Sequence, residues 1–279
     1  MGETMNVLER IRAHYDEMFS AEKKVADYIL GNPEQAVMMN VSELSRQSGV
    51  SDATVIRMCK RIECEGYYQM KIMLSNNLGK TQLLQYTDSN SKADVLSNLF
   101  QVFARNMLKL AESLDVQALR TSVDLIKKAG VVHLVAAGNT SPIACDLGFR
   151  LGRLLGIKSS YAMVPEYYLN NVNLAGKDDI VVAISHSGTS KPVIQALELA
   201  KQKNLKIIAI TGHEFSPVSS LADCLLLAKI DMPIFADSFP DSHLGVMAVV
   251  DALLFFLVNE KATGGDIDTV ELMLSEYKM

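Results

Sequence analysis

The chain has 279 residues, which at about 150 residues per domain predicts two unequal units. Apolar residues make up 49% and charged residues 21%, a globular composition that excludes extended disorder. The net charge of −5 excludes indiscriminate polyanion binding by the whole molecule, although residues 40–80 carry Arg46, Arg57, Lys60, Arg61, Lys71 and Lys80 against only Glu43, Asp52, Glu63 and Glu65.

The opening residues, with Glu3, Glu9 and Arg10 and no uninterrupted apolar core, do not read as a signal peptide. Val7, Leu8 and Ile11 begin an amphipathic stretch. A second helix is expected with Ser20 as N-cap and Val25, Ile29 and Leu30 on one face, stopped by Gly31-Asn32-Pro33. A third begins near Val41-Ser42 and ends at Ser48-Gly49, and a fourth runs from Ser51 to about Ile62. Residues 81–93 are polar and small and read as a linker. Helices follow from about Lys92 to Leu110, with Val95, Leu99, Val102, Phe103 and Leu110 inward, and from Val116 to Lys128.

From Val131 the texture changes. Val131–Val135, Ile180–Ile184, Leu205–Ile210 and Cys224–Leu227 are short continuous apolar runs, separated by helical patterns at Pro142–Leu155 and Pro192–Lys203. Such alternation indicates a parallel sheet covered on both faces. The fold class expected is therefore α plus α/β: an all-helical domain over 1–80, a linker and connecting helix over 81–115, and a parallel α/β sandwich over 116–279. The apolar helix Leu244–Val258, with Met247, Val250, Leu254 and Leu257 inward, is interrupted by Asp251 and falls short of the ~20 residues of a membrane span. Its all-round apolarity fits either a buried core helix or a subunit interface. The four cysteines, Cys59, Cys64, Cys145 and Cys224, show no C-x-x-C and no histidines at metal-ligand spacing, which argues against a zinc finger or disulfide scaffold and for a reducing cytoplasm. Neither a metal nor a cofactor is expected.

Within the helical unit, Gly49 stands where a tight inter-helix turn needs positive φ, Val50 plugs the corner and Ser51 can cap the next helix. Val55, Cys59 and Ile62 are spaced i, i+4, i+7 and should face the core. The opposite surface would then carry Thr54, Arg57 and Arg61, with Ala53 small enough to approach a base edge and Lys60 at the margin. Guanidinium groups and hydroxyls at the start of a second helix suit major-groove reading, with Ser51 and the helix N-terminus holding phosphates. The same spacing also fits a plain helical bundle with solvated charges. Val50-Ser51-x-Ala53-Thr54-Val55-x-Arg57, Lys60-Arg61-Ile62, Gly66-Tyr67 and Lys71 together resemble the N-terminal domain of RpiR-type bacterial transcription regulators. That family usually has glycine where Glu63 stands and an aromatic residue where Met70 stands. The resemblance implies double-stranded operator DNA as a partner.

In the second unit, two loops carry the chemistry. Gly138-Asn139-Thr140-Ser141 and Ser185-His186-Ser187-Gly188-Thr189-Ser190 each follow a strand and open a helix. Hydroxyls, a glycine and free amides at a helix N-terminus on the carboxyl edge of a parallel sheet suit a phosphate. No Lys stands at the Walker position and no G-x-G-x-x-G occurs, which disfavours nucleotides and dinucleotides. The plain alternative is that Ser and Thr only cap two helices. The second loop resembles the Ser-x-Ser-Gly-x-Ser/Thr signature of the SIS (sugar isomerase) fold, and the first its Gly-x-Ser/Thr loop. By that resemblance Ser185, Ser187 and Ser190 hold the phosphate with the backbone of Gly188, and Thr140 contacts phosphate or sugar. His186 could reach a sugar hydroxyl or hydrogen-bond within the fold. Glu166, His186, Glu214 and His243 are the candidate general bases, and none has a partner at a spacing that marks an acid/base pair. The expectation is a cytoplasmic repressor of a carbohydrate-metabolism operon that binds a phosphorylated sugar or amino sugar and acts as a homodimer or homotetramer without a membrane partner. The alternative is an SIS-fold isomerase or etherase with an accessory helical domain.

Overall fold

The computed structural model describes residues 6–75, 78, 92–230 and 243–259. The expected linker therefore lies outside the described residues except at Lys92 and Ala93, which are already helical. The N-terminal unit comprises α1 (Val7–Ala13), α2 (Ser20–Gly31), α3 (Pro33–Met38), α4 (Val41–Gln47), α5 (Asp52–Arg61) and α6 (residues 67–75). Asn6, Asn40 and Ser51 cap α1, α4 and α5 with their side chains, the first two in reciprocal boxes with Glu9 and Glu43. Ser20 is instead the first residue of α2, whose N-cap Phe19 donates its N–H to the Glu22 carboxylate at 3.0 Å. Pro33 does not merely stop α2. It occupies the first turn of α3, where its missing N–H costs nothing.

Gly49 adopts φ 65 between α4 and α5, as the tight turn requires. Ser42 and Ser45 both donate hydroxyls to Asp52, locking the two helices together. Beneath them Ile11, Val25, Ile29, Leu44, Val55, Met58, Cys59, Ile62 and Leu74 form one continuous core.

After α7 (Lys92–Ser113) and α8 (Val116–Lys128) comes a five-stranded sheet. Its strands β1 (Val132–Ala136), β2 (Ser159–Tyr161), β3 (Ile180–Ile184), β4 (Lys206–Thr211) and β5 (Cys224–Leu227) pair in parallel in the order β2-β1-β3-β4-β5. Alternate residues serve opposite faces. Leu134, Val182, Ile184, Ile208 and Ile210 pack under α8, α9 (Ser141–Leu155) and α13 (Leu244–Asn259). Val135, Val181, Ala183, Ile207 and Ala209 pack under α10 (Pro165–Leu174), α11 (Lys191–Gln202) and α12 (Pro217–Leu221). Burial on both faces is why these strands are apolar without alternation. One expectation for α13 is overturned: Met247 is 52% exposed, while Leu253 is buried.

The strand order reverses between β1 and β3, and in open α/β sheets ligands sit outside the carboxyl ends of the strands at that switch point. Both Ser/Thr-rich loops emerge there.

Candidate functional site

On α5, Val55, Cys59 and Ile62 face the core as expected, but Met58 and Thr54 are buried with them, so the buried face is wider than the spacing alone indicated. Thr54 is buried, not on the outer surface: its hydroxyl accepts from Arg57 Nη2 at 2.9 Å and meets Ser51 Oγ at 3.0 Å. Arg61 is likewise engaged inward. Its Nε lies 2.7 Å from the buried carboxylate of Glu22, and its guanidinium stands 5.0 Å from the Phe19 ring. Burial alone would raise the Glu22 carboxyl, but hydrogen bonds from Arg61 and the Phe19 N–H, with the charges of Arg61 and Arg57, hold it below the usual range. The outward face of α5 is therefore Ser51, Ala53, Ile56, Arg57 and Lys60. Ile56, absent from the expected set, lies three residues after Ala53 and four before Lys60, so the same periodicity includes it. A face with two cations, one methyl-bearing side chain and a small residue has the donors and apolar contact for base edges and phosphates.

The loop after β1 contains a short 3-10 turn over Gly138–Thr140. The Thr140 hydroxyl is shared between the carbonyls of Ala137 at 3.1 Å and Ile184 at 3.0 Å, tying the ends of β1 and β3 at the switch point. It does not cap α9. Ser141 is buried at the first turn of that helix, and its Oγ has no hydrogen-bond partner among the described residues. Gly138 and Asn139 are exposed at the rim.

The loop after β3 is braced from outside. The His186 carbonyl accepts from Gly212 N at 3.0 Å and Thr211 Oγ1 at 3.1 Å, that of Ser187 from Asn40 Nδ2 at 3.3 Å, and that of Gly188 from Val218 N at 3.1 Å. Three successive carbonyls are thus turned onto outside donors, which removes their negative ends from the loop interior. Gly188 has φ 67, and a Cβ there would meet Ser216 Oγ at 2.2 Å, so both conformation and space require glycine. Ser187 Oγ accepts from Thr189 N at 3.3 Å and lies 3.1 Å from Thr189 Oγ1. Ser190 precedes α11 without capping it through its side chain, and Pro192 stands in the first turn. The N-termini of α9 and α11 thus keep uncapped amides beside unused hydroxyl capacity, an arrangement that accepts an anion.

His186 lies beside His213, their ring centroids 5.9 Å apart. The His213 Nδ1 is 2.6 Å from Glu43 Oε2, a carboxylate supplied by α4 of the helical unit. Burial pushes the Glu43 carboxyl up. The hydrogen bond and charge of His213, the Asn40 N–H and the charge of Lys229 outweigh that and leave it lowered. Of the other acid/base candidates, Glu166 and Glu214 are exposed, and the buried Nδ1 of His243 has no hydrogen-bond partner among the described residues. No group of three or more His, Cys, Asp or Glu side chains that could hold a metal occurs among the described residues. No described helix is long and apolar enough to cross a membrane.

Residues 5–81 match the helix-turn-helix domain of the rpiR family, and residues 125–253 match the SIS domain. The chain is 28% identical to an HTH-type transcriptional regulator of Thermotoga maritima over 98% of this chain and 100% of that one. It is 27% identical to the HTH-type transcriptional regulator HexR of Escherichia coli over 89% of this chain and 86% of that one. Among solved structures it is similar to the Vibrio vulnificus NanR protein complexed with ManNAc-6P, with a TM-score of 0.81, 24% identity, and coverage of 98% of this chain and 99% of that chain. With a helix-turn-helix placed first and a phosphate-suited parallel sheet second, the chain belongs to the RpiR family of transcriptional regulators.

Proposed function

We propose that this protein is a DNA-binding repressor of a carbohydrate-metabolism operon, and that its effector is a phosphorylated sugar or amino sugar held at the N-termini of α9 and α11. The observation that carries the reading is the unused capacity at the switch point. Two helices on opposite faces of the sheet start, at its carboxyl edge, at hydroxyl-bearing residues that do not cap them, one beside a buried hydroxyl with no partner among the described residues. Capping alone leaves that arrangement without a purpose. Ser141, Ser185, Ser187, Ser190 and the amides around Gly188 and Thr189 supply the phosphate contacts. Thr140 shapes the site from below, with Gly138, Asn139 and His186 at its margin. The DNA contacts fall to Ser51, Ala53, Arg57 and Lys60, with Ile56 added. Thr54 and Arg61 act by positioning Arg57 and α5.

Sensing is favoured over catalysis because Glu166 and Glu214 are exposed, and Glu43 and His213 are paired with each other. Ser187→Ala should abolish the response to the effector while retaining DNA binding. Arg57→Ala should weaken specific binding by about 1–3 kcal/mol if its guanidinium reads a base. Calorimetry against hexose 6-phosphates and N-acetylhexosamine 6-phosphates, paired with gel shifts on a duplex selected from a random pool, measures both. Heat only from inorganic phosphate, or turnover of a sugar phosphate seen by NMR, would remove the reading.

A further inference from the structure

Three side chains on one face of α4 grip the effector loop and its neighbour. Asn40, the N-cap of α4, is 2% exposed and its side chain hydrogen-bonds within its own unit and to the second one. Its Oδ1 accepts from Glu43 N at 2.9 Å, while its Nδ2 donates to the carbonyls of Ser187 at 3.3 Å and Phe215 at 3.0 Å. One turn on, Glu43 meets His213 at 2.6 Å. At the end of the helix, Arg46 lies 3.7 Å from the centroid of the Phe215 ring. Positions i, i+3 and i+6 share a face, so α4 is seated on the loop as one bracket. The same α4 is locked to the DNA-facing α5 through Ser42, Ser45 and Asp52.

We propose that Asn40, with Glu43 and Arg46 beside it, is the positioning element through which effector occupancy changes DNA binding. Ser187 is the joint: its hydroxyl lies in the effector loop, and its carbonyl is held by Asn40. A phosphate ester that engages this hydroxyl shifts the residue on which the DNA-binding unit rests, and the bracket carries the shift to α5. The two arrangements, bracket seated and bracket displaced, are the two states whose balance the ligand biases. This inference rests on the effector reading above.

The test uses the full chain with Asn40→Ser and, separately, Phe215→Ala. Serine retains an oxygen to cap α4 but cannot reach both carbonyls. Phe215→Ala removes the Arg46 contact from the other side without altering the helical unit. The probes are glucose 6-phosphate, N-acetylmannosamine 6-phosphate and inorganic phosphate, with the selected duplex. In the wild type, a bound sugar phosphate should change the duplex Kd by about 5–150-fold, the usual span of allosteric coupling. Phe215→Ala should bind the same sugar phosphate and the bare duplex within about threefold of wild type, while the coupling shrinks to less than about twofold. Asn40→Ser, which also frees the Ser187 carbonyl, should show the same loss of coupling when measured at saturating sugar phosphate. Full coupling in both variants would overturn the proposal, as would loss of duplex binding in both, because the bracket would then belong to the grip itself. A wild type that binds neither sugar phosphate would instead remove the effector reading, and this inference with it.

Discussion

Glu63 holds φ 60, in the left-handed region that side chains with a Cβ enter only at a cost. Its surroundings explain why it stays. Cys64 N donates to Cys59 O at 2.9 Å and Glu63 N to Lys60 O at 3.1 Å, the paired bonds of a Schellman ending to α5. The Glu63 position is therefore the one where a helix ordinarily ends on glycine, and this chain leaves it strained. The side chain contributes little in return, since it is 72% exposed and 4.0 Å from Arg10. The left-handed conformation costs a non-glycine residue about 1–2 kcal/mol, and glycine's greater freedom in the unfolded chain returns roughly 0.5–1 kcal/mol of that gain. Glu63→Gly should thus stabilise the helical unit by up to about 1 kcal/mol, read as a higher urea midpoint by circular dichroism at unchanged m. A lower midpoint would show that the ending is not strained. Arg61 marks the limit of reading single residues from sequence. Its position on α5 was legible, but the buried Glu22 that draws it inward lies 39 positions upstream. Nothing in the local pattern announces that pair.

At the scale of elements, β1, β3 and β4 were legible as apolar runs buried on both faces, and β5 as an apolar run although Leu225 and Leu227 are only half-buried at the sheet edge. Both candidate loops could be placed from their position after β1 and β3. The edge strand β2 carried no such signal. Ser159, Ser160 and Tyr161 are polar or half-exposed, and the strand pairs only with β1. What holds it is tertiary. Ser159 Oγ donates to Gly148 O at 3.0 Å, and the Tyr161 ring lies over Gly148 on α9. A Cβ at Gly148 would stand 2.3 Å from Tyr161 Cδ1 and 2.8 Å from Leu134 Cδ1. Tyr161 can swing outward, being 43% exposed, but Leu134 is buried in the sheet core. Gly148→Ala should therefore destabilise the sheet domain by about 1–3 kcal/mol, the usual cost of overpacking. Amide exchange should quicken first in β2, which pairs with β1 alone and lies against the substituted position. An unchanged Tm with unaltered β2 protection would mean that α9 can retreat without cost.

For the whole molecule, the open question is what covers the outer side of α13. Met247, Asp251, Phe255 and Val258 follow at i, i+4, i+8 and i+11, and Met247 and Phe255 are 52% and 63% exposed. Asp251 pairs with Arg150 of α9 at 2.6 Å, and α9 itself carries the exposed Phe149 and Leu154. Scattered apolar side chains on a surface need no explanation, but several large ones exposed along one side of a helix suit an interaction surface. Helix-turn-helix proteins read two half-sites about one DNA turn apart, which requires two copies of the reading helix held in register. We propose a second copy of this chain as the occupant, joined through α9 and α13. Phe255→Glu combined with Met247→Glu should leave the fold intact by circular dichroism, because both side chains point away from the core. Sedimentation should then find a monomer, and affinity for a two-half-site duplex should fall steeply while binding to a single half-site changes little. A double variant that still sediments as the wild type would place the contact between copies elsewhere and return this stripe to the ordinary surface.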